Sequence, residues 1–528
     1  MQKILTAKLL PSEAADIELI KEYIAKAAVV NASSVSGFHI LKSSIDARGK
    51  QTWVNLSLKA FIDEPSQRRK LMYFDFPDVK KARHKVIIVG AGPAGLFAAL
   101  YLIQNGIKPI ILERGKEVRT RRRDLAILNK EGKLNPESNY CFGEGGAGTY
   151  SDGKLYTRSN KRGDVNRILN LFVNFGAEEK ILYESHPHIG TNKLPQIITA
   201  MRNKILDCGG ELKFEKKVTD FIIKNEKLTA VKTDDEFLYE GDAVILATGH
   251  SARDIFLLLN ACNIKIEFKP FSLGIRVEHP QQIIDGIQYH TSNSADAARP
   301  RDPFLPPASY SMVQQVDGKG VFSFCMCPGG IIAPAATNPN ELVVNGWSPS
   351  KRNNPYANSG IVVSVGEKDV QAFKKNGPLA GMYFQQSIEQ KAFEAGGGKF
   401  VAPAQRLVDF TENRVSSSLP GCSYLPGIIS ASLKHVLPAF IYKDIQQAFK
   451  EFGKKMRGYL TNEAVVVAAE SRTSSPVRIP RDAGSLQHPQ IQNLFPCGEG
   501  AGYAGGIVSA AMDGERVARQ ISLKLNKM

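Results

Sequence analysis

The sequence predicts a mixed α/β protein of more than one domain, and three observations carry that prediction. The chain has 528 residues, enough for two or three domains with separate cores. An uncharged run at residues 86–103, VIIVGAGPAGLFAALYLI, changes from strand-like to helix-like composition at its glycines. Two further glycine-rich segments, ATG at residues 247–249 and GEGAGYAGG at residues 498–506, each follow a short apolar run of strand character.

The uncharged run is long enough to raise the question of a membrane-spanning helix. Gly90, Gly92 and Pro93 interrupt it at its centre, where a spanning helix needs continuous backbone hydrogen bonds. It divides better into a buried strand, a tight turn and a helix that ends at Gly106, followed by a second buried strand, KPIILER. The N-terminus has no signal-peptide pattern, so we expect a cytoplasmic protein without a membrane span.

This βαβ unit carries the pattern G-x-G-x-x-G, followed about 20 positions later by the acid Glu113, which predicts a Rossmann-type dinucleotide site. Gly90 permits the turn, Gly92 lets the backbone approach a pyrophosphate, and Gly95 lets the helix pack closely on the strand. The phosphates are expected at the helix N-terminus, where unpaired N–H groups favour negative charge, and the adenosine ribose at Glu113.

A second stretch, GEGGAG at residues 143–148, fits the same letters. No strand-like run precedes it and no βαβ unit follows it. Because the dinucleotide pattern has meaning only between a strand and a helix, we do not predict a second Rossmann turn here.

The formal net charge of +16 suits a nucleic acid, a membrane surface, an acidic ligand or simply solvated faces. The densest basic run, ERGKEVRTRRRD, directly follows the βαβ unit and contains no interleaved aromatic residues. Its position favours a nearby anionic ligand over a nucleic acid. Arg119 and Arg123 are therefore expected near the pyrophosphate, with a solvated helix face as the alternative.

The rest of the chain indicates which dinucleotide is bound. Residues 218–249 read as a hairpin or meander that leads into the ATG segment, and the C-terminal glycine-rich segment leads into a helix from about Ile507. In this order the pieces resemble glutathione-reductase-type FAD proteins. The resemblance implies that ATG packs beside FAD, that Glu499 binds ribityl or pyrophosphate oxygens, and that the backbone of Val218 meets the adenine. The late helix then points its N-terminus at the flavin pyrimidine.

Four segments together resemble a family of bacterial FAD-dependent dehydrogenases, also labelled NAD-utilising, whose substrate is not defined. They are FGEGGAGTYSDGKL, FSFCMCPGG, SRTSSPVRIPRD and GEGAGYAGGI, and the likeness extends from residue 84 to 528. The residues expected to bind FAD are Gly90, Gly92, Pro93, Ala94, Gly95, Glu113, Arg114, Arg123, Gly146, Gly148, Thr149, Asp152, Gly153, Lys154, Val218, Ala247, Thr248, Gly249, Gly498, Glu499, Gly505, Gly506 and Ile507.

We predict a Rossmann-like FAD-binding domain that is split by an inserted mixed α/β substrate domain. Its two parts are residues 84–264 and 465–528, and the insertion is residues 265–464. Residues 1–75 form a small α/β module, for which a ferredoxin-like fold is one arrangement. The module serves to bind a partner, to cover the active site, or only to pack against the rest.

Within this module, Ile17, Ile20 and Ile24 are spaced for one helix face. The stretch VNLSLKAFI alternates apolar and polar residues, as a half-buried strand does.

The seven cysteines are an odd number and thinly spread, with no spacing for a disulfide framework or a metal site, which fits a reducing compartment. Cys325 and Cys327 would face the same side of a strand. They are candidates for a redox pair or for a thiolate beside the flavin, or else small buried apolar residues. The C-x-x-x-x-C of flavin disulfide reductases is absent, so that class is not expected.

Other side chains carry candidate chemistry. Lys154, in a glycine-rich loop with Ser151, can offset charge on a reduced flavin. His250, directly after ATG, is a candidate acid or base, or else caps a loop. Arg276 and Arg472 are candidates to clamp an anionic substrate or the cofactor, or else form structural ion pairs.

The predicted function is that of an FAD-dependent oxidoreductase that transfers hydride between a small-molecule substrate and flavin. The alternative is an RNA-binding or partner-binding flavoprotein in which FAD serves RNA modification or structure. The sequence carries no second βαβ unit for NAD(P)H. That nucleotide is therefore expected as a transient electron donor in the substrate domain, unless reducing equivalents come from elsewhere.

Overall fold

The computed structural model describes residues 1–157, 163–290 and 301–526. Most strands in these ranges belong to three sheets, of three, five and seven strands. The remaining strands form a three-stranded meander and two short ribbons.

The N-terminal part forms the first sheet, an antiparallel one in which Trp53–Ile62 is the central strand. Leu56 and Leu58 point into its core, as the alternation predicts, whereas Ile17 is largely exposed at the start of its helix. The order β-α-β-β has three strands, one fewer than the ferredoxin-like arrangement. The strands and helices of this part are Gln2–Leu9, Pro11–Ala14, Ile17–Ala28, Ala32–Ser34, Val35–Asp46 and Trp53–Ile62.

The five-stranded sheet is entirely parallel and contains both strands predicted from the uncharged run and its sequel. After their first residues, Lys85 and Lys108, those two strands are apolar because the sheet is covered on both faces. One edge strand comes from near the C-terminus, so the sheet needs two distant parts of the chain. The strand order is Leu494–Pro496, Ala243–Leu246, Lys85–Val89, Lys108–Leu112 and Glu211–Lys213.

The predicted helix after the glycine turn is Pro93–Gln104, and the long helix Ile507–Leu525 packs along it. A Cβ added to Gly514 would lie 2.1 Å from the carbonyl oxygen of Ala94, so the two helices touch backbone to backbone. In the described ranges, no helix is long and apolar enough to cross a membrane. The other helices around this sheet are Val118–Glu131, Gly146–Gly148, Val165–Asn174, Glu179–Leu182, Leu194–Asp207 and Arg253–Ala261.

The other face of the parallel sheet packs on the predicted meander, which is antiparallel. Its strands are Val218–Lys224, Lys227–Thr233 and Leu238–Glu240.

The seven-stranded sheet is built from the predicted insertion and is mostly antiparallel. Its strand Val465–Glu470 pairs with Phe271–Pro280 and with Ala402–Arg406. The predicted boundary at residue 465 was therefore wrong, because this strand completes the insertion before the chain returns to the dinucleotide domain. The strand order is Val313–Val316, Lys319–Cys327, Tyr356–Val365, Phe271–Pro280, Val465–Glu470, Ala402–Arg406 and Ile428–Ser430.

Helices cover this sheet and two ribbons border it. The helices are Gln281–Gln288, Glu367–Leu379, Ala380–Ala395, Leu407–Thr411 and Ala439–Lys455. The ribbons are Glu267–Phe268 with Val477–Arg478 and Ile331–Pro334 with Val344–Trp347.

Candidate functional site

A cavity of about 400 Å³ lies at the carboxyl ends of the parallel strands. Val89, Leu112 and Ala247 line it from three neighbouring strands or the residue that follows them. Phe324 and Cys325 line it from the seven-stranded sheet. The cavity therefore lies between the two large sheets, at the strand ends where open α/β sheets bind ligands.

The first glycine turn has the geometry that its sequence predicts. Gly90 has a φ of +105°, and a Cβ there would lie 2.5 Å from the carbonyl oxygen of Ala247. A Cβ on Gly95 would lie 2.0 Å from the carbonyl oxygen of Gly90, so the helix does pack against the turn. Gly92 differs, because a Cβ there would have no atom nearer than the Cα of Gly146, at 4.0 Å. The fold therefore requires glycine at residues 90 and 95 but not at residue 92.

The second stretch of the same pattern lies directly against the first. Gly145 donates its N–H to the carbonyl oxygen of Ala91 over 2.8 Å, and Gly146 and Gly148 line the cavity. The element before it in the described residues is the helix Val118–Glu131, so no strand leads directly into it, and a single 3₁₀ turn ends it. It is not a Rossmann turn, yet it packs against one and lines the same cavity.

Glu113 joins the two stretches. One carboxylate oxygen accepts the N–H of Ala91 and the other accepts those of Gly115 and Gly143, each over 2.9 Å. The side chain is buried at the cavity wall. Its position suits the predicted ribose contact, and it also fixes three backbone segments, which the sequence pattern does not reveal.

Arg123 and Arg119 do not reach the cavity. Both are exposed on Val118–Glu131, so their expected place near the pyrophosphate was wrong and the solvated helix face is right. The buried arginine of this helix is Arg121, whose guanidinium donates to the carbonyl oxygens of Asn139, Tyr140 and Glu144. A helix repeats every 3.6 residues, so position 123 faces away from the side that buries position 121.

Two further expected ligand contacts are absent from the cavity wall of the described chain. Thr149 is buried and donates its hydroxyl to the carbonyl oxygen of Glu144 over 2.7 Å. Gly498 donates its N–H to Asp513 and approaches Ala94, where a Cβ would lie 2.9 Å away. Both residues shape neighbouring loops instead.

One group of lining residues lies beside the first strand of the meander and is called the Val218 group. It comprises Arg114, Phe142, Val218 and Asp254. Arg114 lies over the ring of Phe142, with 4.2 Å from its guanidinium carbon to the ring centroid. It forms ion pairs with Glu137 at 2.6 Å and with Asp254 at 2.8 Å. These contacts fix Arg114 and Phe142 at the cavity wall on the side of Val218.

A second group, here the Cys325 group, comprises Lys154, Cys325 and Glu499. The ammonium of Lys154 lies 4.0 Å from the Cys325 sulfur and donates to the carbonyl oxygen of Met326. Burial opposes the charge on Lys154, but Cys325 and other neighbours raise its pKa. Burial also raises the pKa of Glu499 to about 7, partly offset by Lys269. The cavity therefore pairs a stable cation with a carboxyl group that carries a proton part of the time.

His250 lines the cavity and its Nδ1 lies 2.9 Å from the hydroxyl of Ser251. Burial lowers its pKa to about 4, and the charges of Arg472 and Arg253 act in the same direction. The expected pKa near neutrality is not what this environment gives. At pH 7 the imidazole is neutral and can accept or donate a hydrogen bond.

Arg472 reaches the cavity wall from a buried ionic cluster. Its guanidinium contacts Glu341 and Glu389, each at 2.9 Å, and Arg253 contacts Glu389 at 2.8 Å. Burial would raise the pKa of Glu389, but the two arginines hold it well below its usual range. Arg253 begins the helix after a strand of the parallel sheet, whereas Glu389 belongs to the insertion. The cluster therefore holds the dinucleotide domain and the insertion together beside the cavity.

Arg276 is fully buried within the seven-stranded sheet. It contacts Glu470 at 2.7 Å and donates to Asn358 and to the carbonyl oxygen of Cys325. The structural ion pair, and not the substrate clamp, is therefore the right interpretation. Cys327 is likewise buried and does not line the cavity.

Three family models match successive parts of the chain. Residues 1–61 match a domain of unknown function, and residues 84–261 match "Pyridine nucleotide-disulphide oxidoreductase". Residues 270–473 match "FAD-dependent protein, C-terminal domain-like". A protein of Clostridium beijerinckii, described as "Uncharacterized protein", is 37% identical over 97% of each chain. The chain belongs to a family of FAD-dependent oxidoreductases.

This FAD-dependent oxidoreductase is also similar to proteins over shorter lengths. A thiamine thiazole synthase of Archaeoglobus fulgidus is 27% identical over 34% of this chain and 60% of its own length. The solved structure of the flavin-dependent brominase Bmp2 covers 84% of this chain and 80% of its own at 12% identity, with a TM-score of 0.37.

In this FAD-dependent oxidoreductase, glycines leave open space beside the backbone of the cavity wall, where a cofactor could lie. A Cβ on Gly505 or Gly506 would meet nothing within 4 Å, and one on Gly92 would meet only a contact at 4.0 Å. The protein itself leaves these positions open, so a bound group can approach the backbone there. The first residues of two helices, Pro93 and Ile507, line the same space and favour a group with negative charge.

Proposed function

We propose that this oxidoreductase transfers hydride between a small-molecule substrate and FAD held in the cavity. The observation that carries the proposal is that a single cavity is lined by the glycine turn, the Val218 group and the Cys325 group. It joins a dinucleotide-binding element to a cation, a thiol and a carboxyl group. Those are groups that bind and polarise a reacting molecule.

The backbone around Gly92 and Gly146 would hold the pyrophosphate, and Glu113 the adenosine ribose. Val218 would meet the adenine, and Glu499 the ribityl chain. When bound, FAD supplies two-electron chemistry at its isoalloxazine ring. The N-terminus of Ile507–Leu525 is placed to stabilise negative charge there, because its first N–H groups are not used within the helix.

Two side chains, Lys154 and His250, would act on the substrate or on the charge that develops, and Asp152 would position the first of them. Lys154 remains protonated and offsets negative charge beside Cys325. Asp152, in contact with Arg352 at 2.7 Å, fixes the loop from which Lys154 extends. His250 is neutral at pH 7, so it orients a substrate by a hydrogen bond and does not supply a proton from an imidazolium.

NAD(P)H is proposed as a transient electron donor. Within the described ranges, one parallel sheet carries a dinucleotide turn, and the cofactor's own phosphates would occupy it. A nicotinamide nucleotide would therefore have to enter from the side of the Cys325 group. The other lining residues of that side, Phe324 and Thr473, belong to the insertion or adjoin it.

The test is an anaerobic titration of the FAD-loaded protein with NADH and then NADPH, followed by its visible spectrum. Bleaching by either nucleotide is the expected result. The Lys154→Met variant should bind FAD but bleach at least about tenfold more slowly, which corresponds to a barrier raised by about 1.4 kcal/mol. Lys133→Met, which removes an exposed lysine paired with Glu131, is the matched control. A protein that binds no FAD would overturn the proposal.

A further inference from the structure

The proposed function gives Cys325 and Cys327 no redox role. Cys325 lines the cavity, whereas Cys327 lies behind it and is fully buried. The Cys327 thiol donates a hydrogen bond to the carbonyl oxygen of Cys325 over 3.3 Å. The second sulfur atom is therefore held close to the residue that faces the cavity.

The strand Lys319–Cys327 is irregular where it carries these residues. Its register against Tyr356–Val365 shifts between Phe324 and Cys327, and Cys325 has a φ of +45°. Residues other than glycine rarely adopt that conformation, and such strain clusters at functional sites. The bulge also breaks the alternation that predicted both cysteines on one face, which is why one lines the cavity and the other does not.

Two cations flank the sulfur atoms. The ammonium of Lys154 lies 4.0 Å from the sulfur of Cys325, and the guanidinium of Arg276 lies 3.8 Å from that of Cys327. The neighbouring side chain of Cys327 and these charges hold the pKa of Cys325 well below its usual range, against the effect of burial. The side chain of Cys325 and burial hold the pKa of Cys327 well above its usual range. The surroundings therefore favour the thiolate at Cys325 and the thiol at Cys327, the two forms that thiol–disulfide chemistry uses.

We propose that Cys325 and Cys327 are a redox-active dithiol that exchanges two electrons with FAD in the cavity. The proposal rests on the proposed function, because FAD is the other redox partner. In the reducing direction the S–S bond accepts two electrons from reduced FAD and breaks. Cys325 is released as a thiolate beside Lys154, and Cys327 takes up the one proton that the reduced flavin gives up. In the opposite direction the thiolate and the thiol join, and oxidised FAD receives the two electrons and the proton.

The first test counts thiols in the FAD-loaded protein after exposure to air. The protein is denatured, treated with iodoacetamide and mapped by mass spectrometry. We expect two fewer modified cysteines than the seven in the chain, with the peptide of Cys325 and Cys327 lighter by two hydrogens than the dithiol. After full reduction all seven should be modified. Seven modified cysteines in the air-oxidised protein would overturn the proposal.

The second test counts electrons in an anaerobic titration with dithionite. The wild-type protein should take up two electron pairs per FAD, and Cys327→Ser only one. Cys262→Ser, which changes an exposed cysteine at the end of Arg253–Ala261, should still take up two. Uptake of one pair by the wild-type protein would contradict the dithiol.

The two proposals fail in distinguishable ways. If FAD binds and NAD(P)H bleaches it but all seven thiols remain reactive, only the dithiol is refuted. If the chain binds no FAD, hydride transfer is refuted. The thiol count after treatment with a small oxidising disulfide then still shows whether Cys325 and Cys327 form a bond.

Discussion

The letters G-x-G-x-x-G occur at residues 90–95, 143–148 and 500–505. The first two of these stretches differ in almost every structural respect. The first joins a parallel strand to a helix, and the second follows an irregular loop and ends in a 3₁₀ turn. Nevertheless they lie against each other at the cavity wall, where Gly145 donates its N–H to the carbonyl oxygen of Ala91.

The difference shows that glycine serves two purposes in one site. In the first stretch, Gly90 and Gly95 allow close contacts between backbone segments of a standard supersecondary unit. In the second, Gly143 makes room for the buried side chain of Arg121, which lies 2.4 Å from where its Cβ would be. The first use is local and repeats between proteins, whereas the second depends on a partner elsewhere in the fold.

The largest effect is expected for Gly95→Ala. The added Cβ would lie 2.0 Å from the carbonyl oxygen of Gly90, which is backbone and cannot move aside. We expect the free energy of unfolding to fall by about 3 kcal/mol, the upper part of the range for overpacking. Urea unfolding measures it, with Gly484→Ala as control because its nearest atom lies at 3.6 Å. Equal stability of the two variants would contradict the packing role of Gly95.

A smaller loss is expected for Gly143→Ala. The φ of +119° and the approach to Arg121 both oppose a side chain, at a cost of about 2 kcal/mol. Gly148→Ala is the control in the same stretch, since its φ is ordinary and its nearest neighbour is the flexible side chain of Ile507 at 3.2 Å. If Gly148→Ala were the more damaging in thermal unfolding, the assigned role of Arg121 would be wrong.

Glu113→Gln tests the link between the two stretches. An amide nitrogen would replace the oxygen that accepts from Ala91, leaving a buried N–H without an acceptor at a cost of about 1–2 kcal/mol. Amide hydrogen exchange at Ala91 should become faster. Glu131→Gln, on the exposed end of its helix, should leave that exchange unchanged. Unchanged exchange in Glu113→Gln would refute the link.

The smallest effect on stability is expected for Gly92→Ala, within about 0.5 kcal/mol, because the fold leaves space there. FAD affinity should nevertheless fall at least about tenfold, since the Cβ would occupy the space proposed for the pyrophosphate. Isothermal titration with FAD separates the two effects. Unchanged affinity would contradict the proposal that the pyrophosphate binds at this turn.

The sequence predicted what local pattern determines. The strands and helix of the βαβ unit, the meander and the late helix all follow from periodicity and turn residues. The family resemblance indicated FAD because several short motifs occur in a fixed order. The strand Val465–Glu470 was assigned to the wrong domain because it is as apolar as a strand of the parallel sheet would be.

What the sequence could not predict are contacts between distant segments. Nothing in the letters distinguishes buried Arg121 from exposed Arg123, since both lie in one basic run. Charge alone could not separate the structural role of Arg276 from a substrate clamp either. The lowered pKa of His250 arises from burial and from two arginines distant in sequence. Such effects become visible only when the fold brings the groups together.

The order of strands in the parallel sheet also has a consequence for synthesis on the ribosome. Ala243–Leu246 acquires its outer neighbour, Leu494–Pro496, only after roughly 250 further residues have been added. At about 5–20 residues per second, a nascent chain keeps that apolar edge unpaired for on the order of tens of seconds. An unpaired edge can pair wrongly with other chains. A chaperone that shields hydrophobic strands should therefore raise the yield of this protein more than that of one whose sheet closes in sequence order.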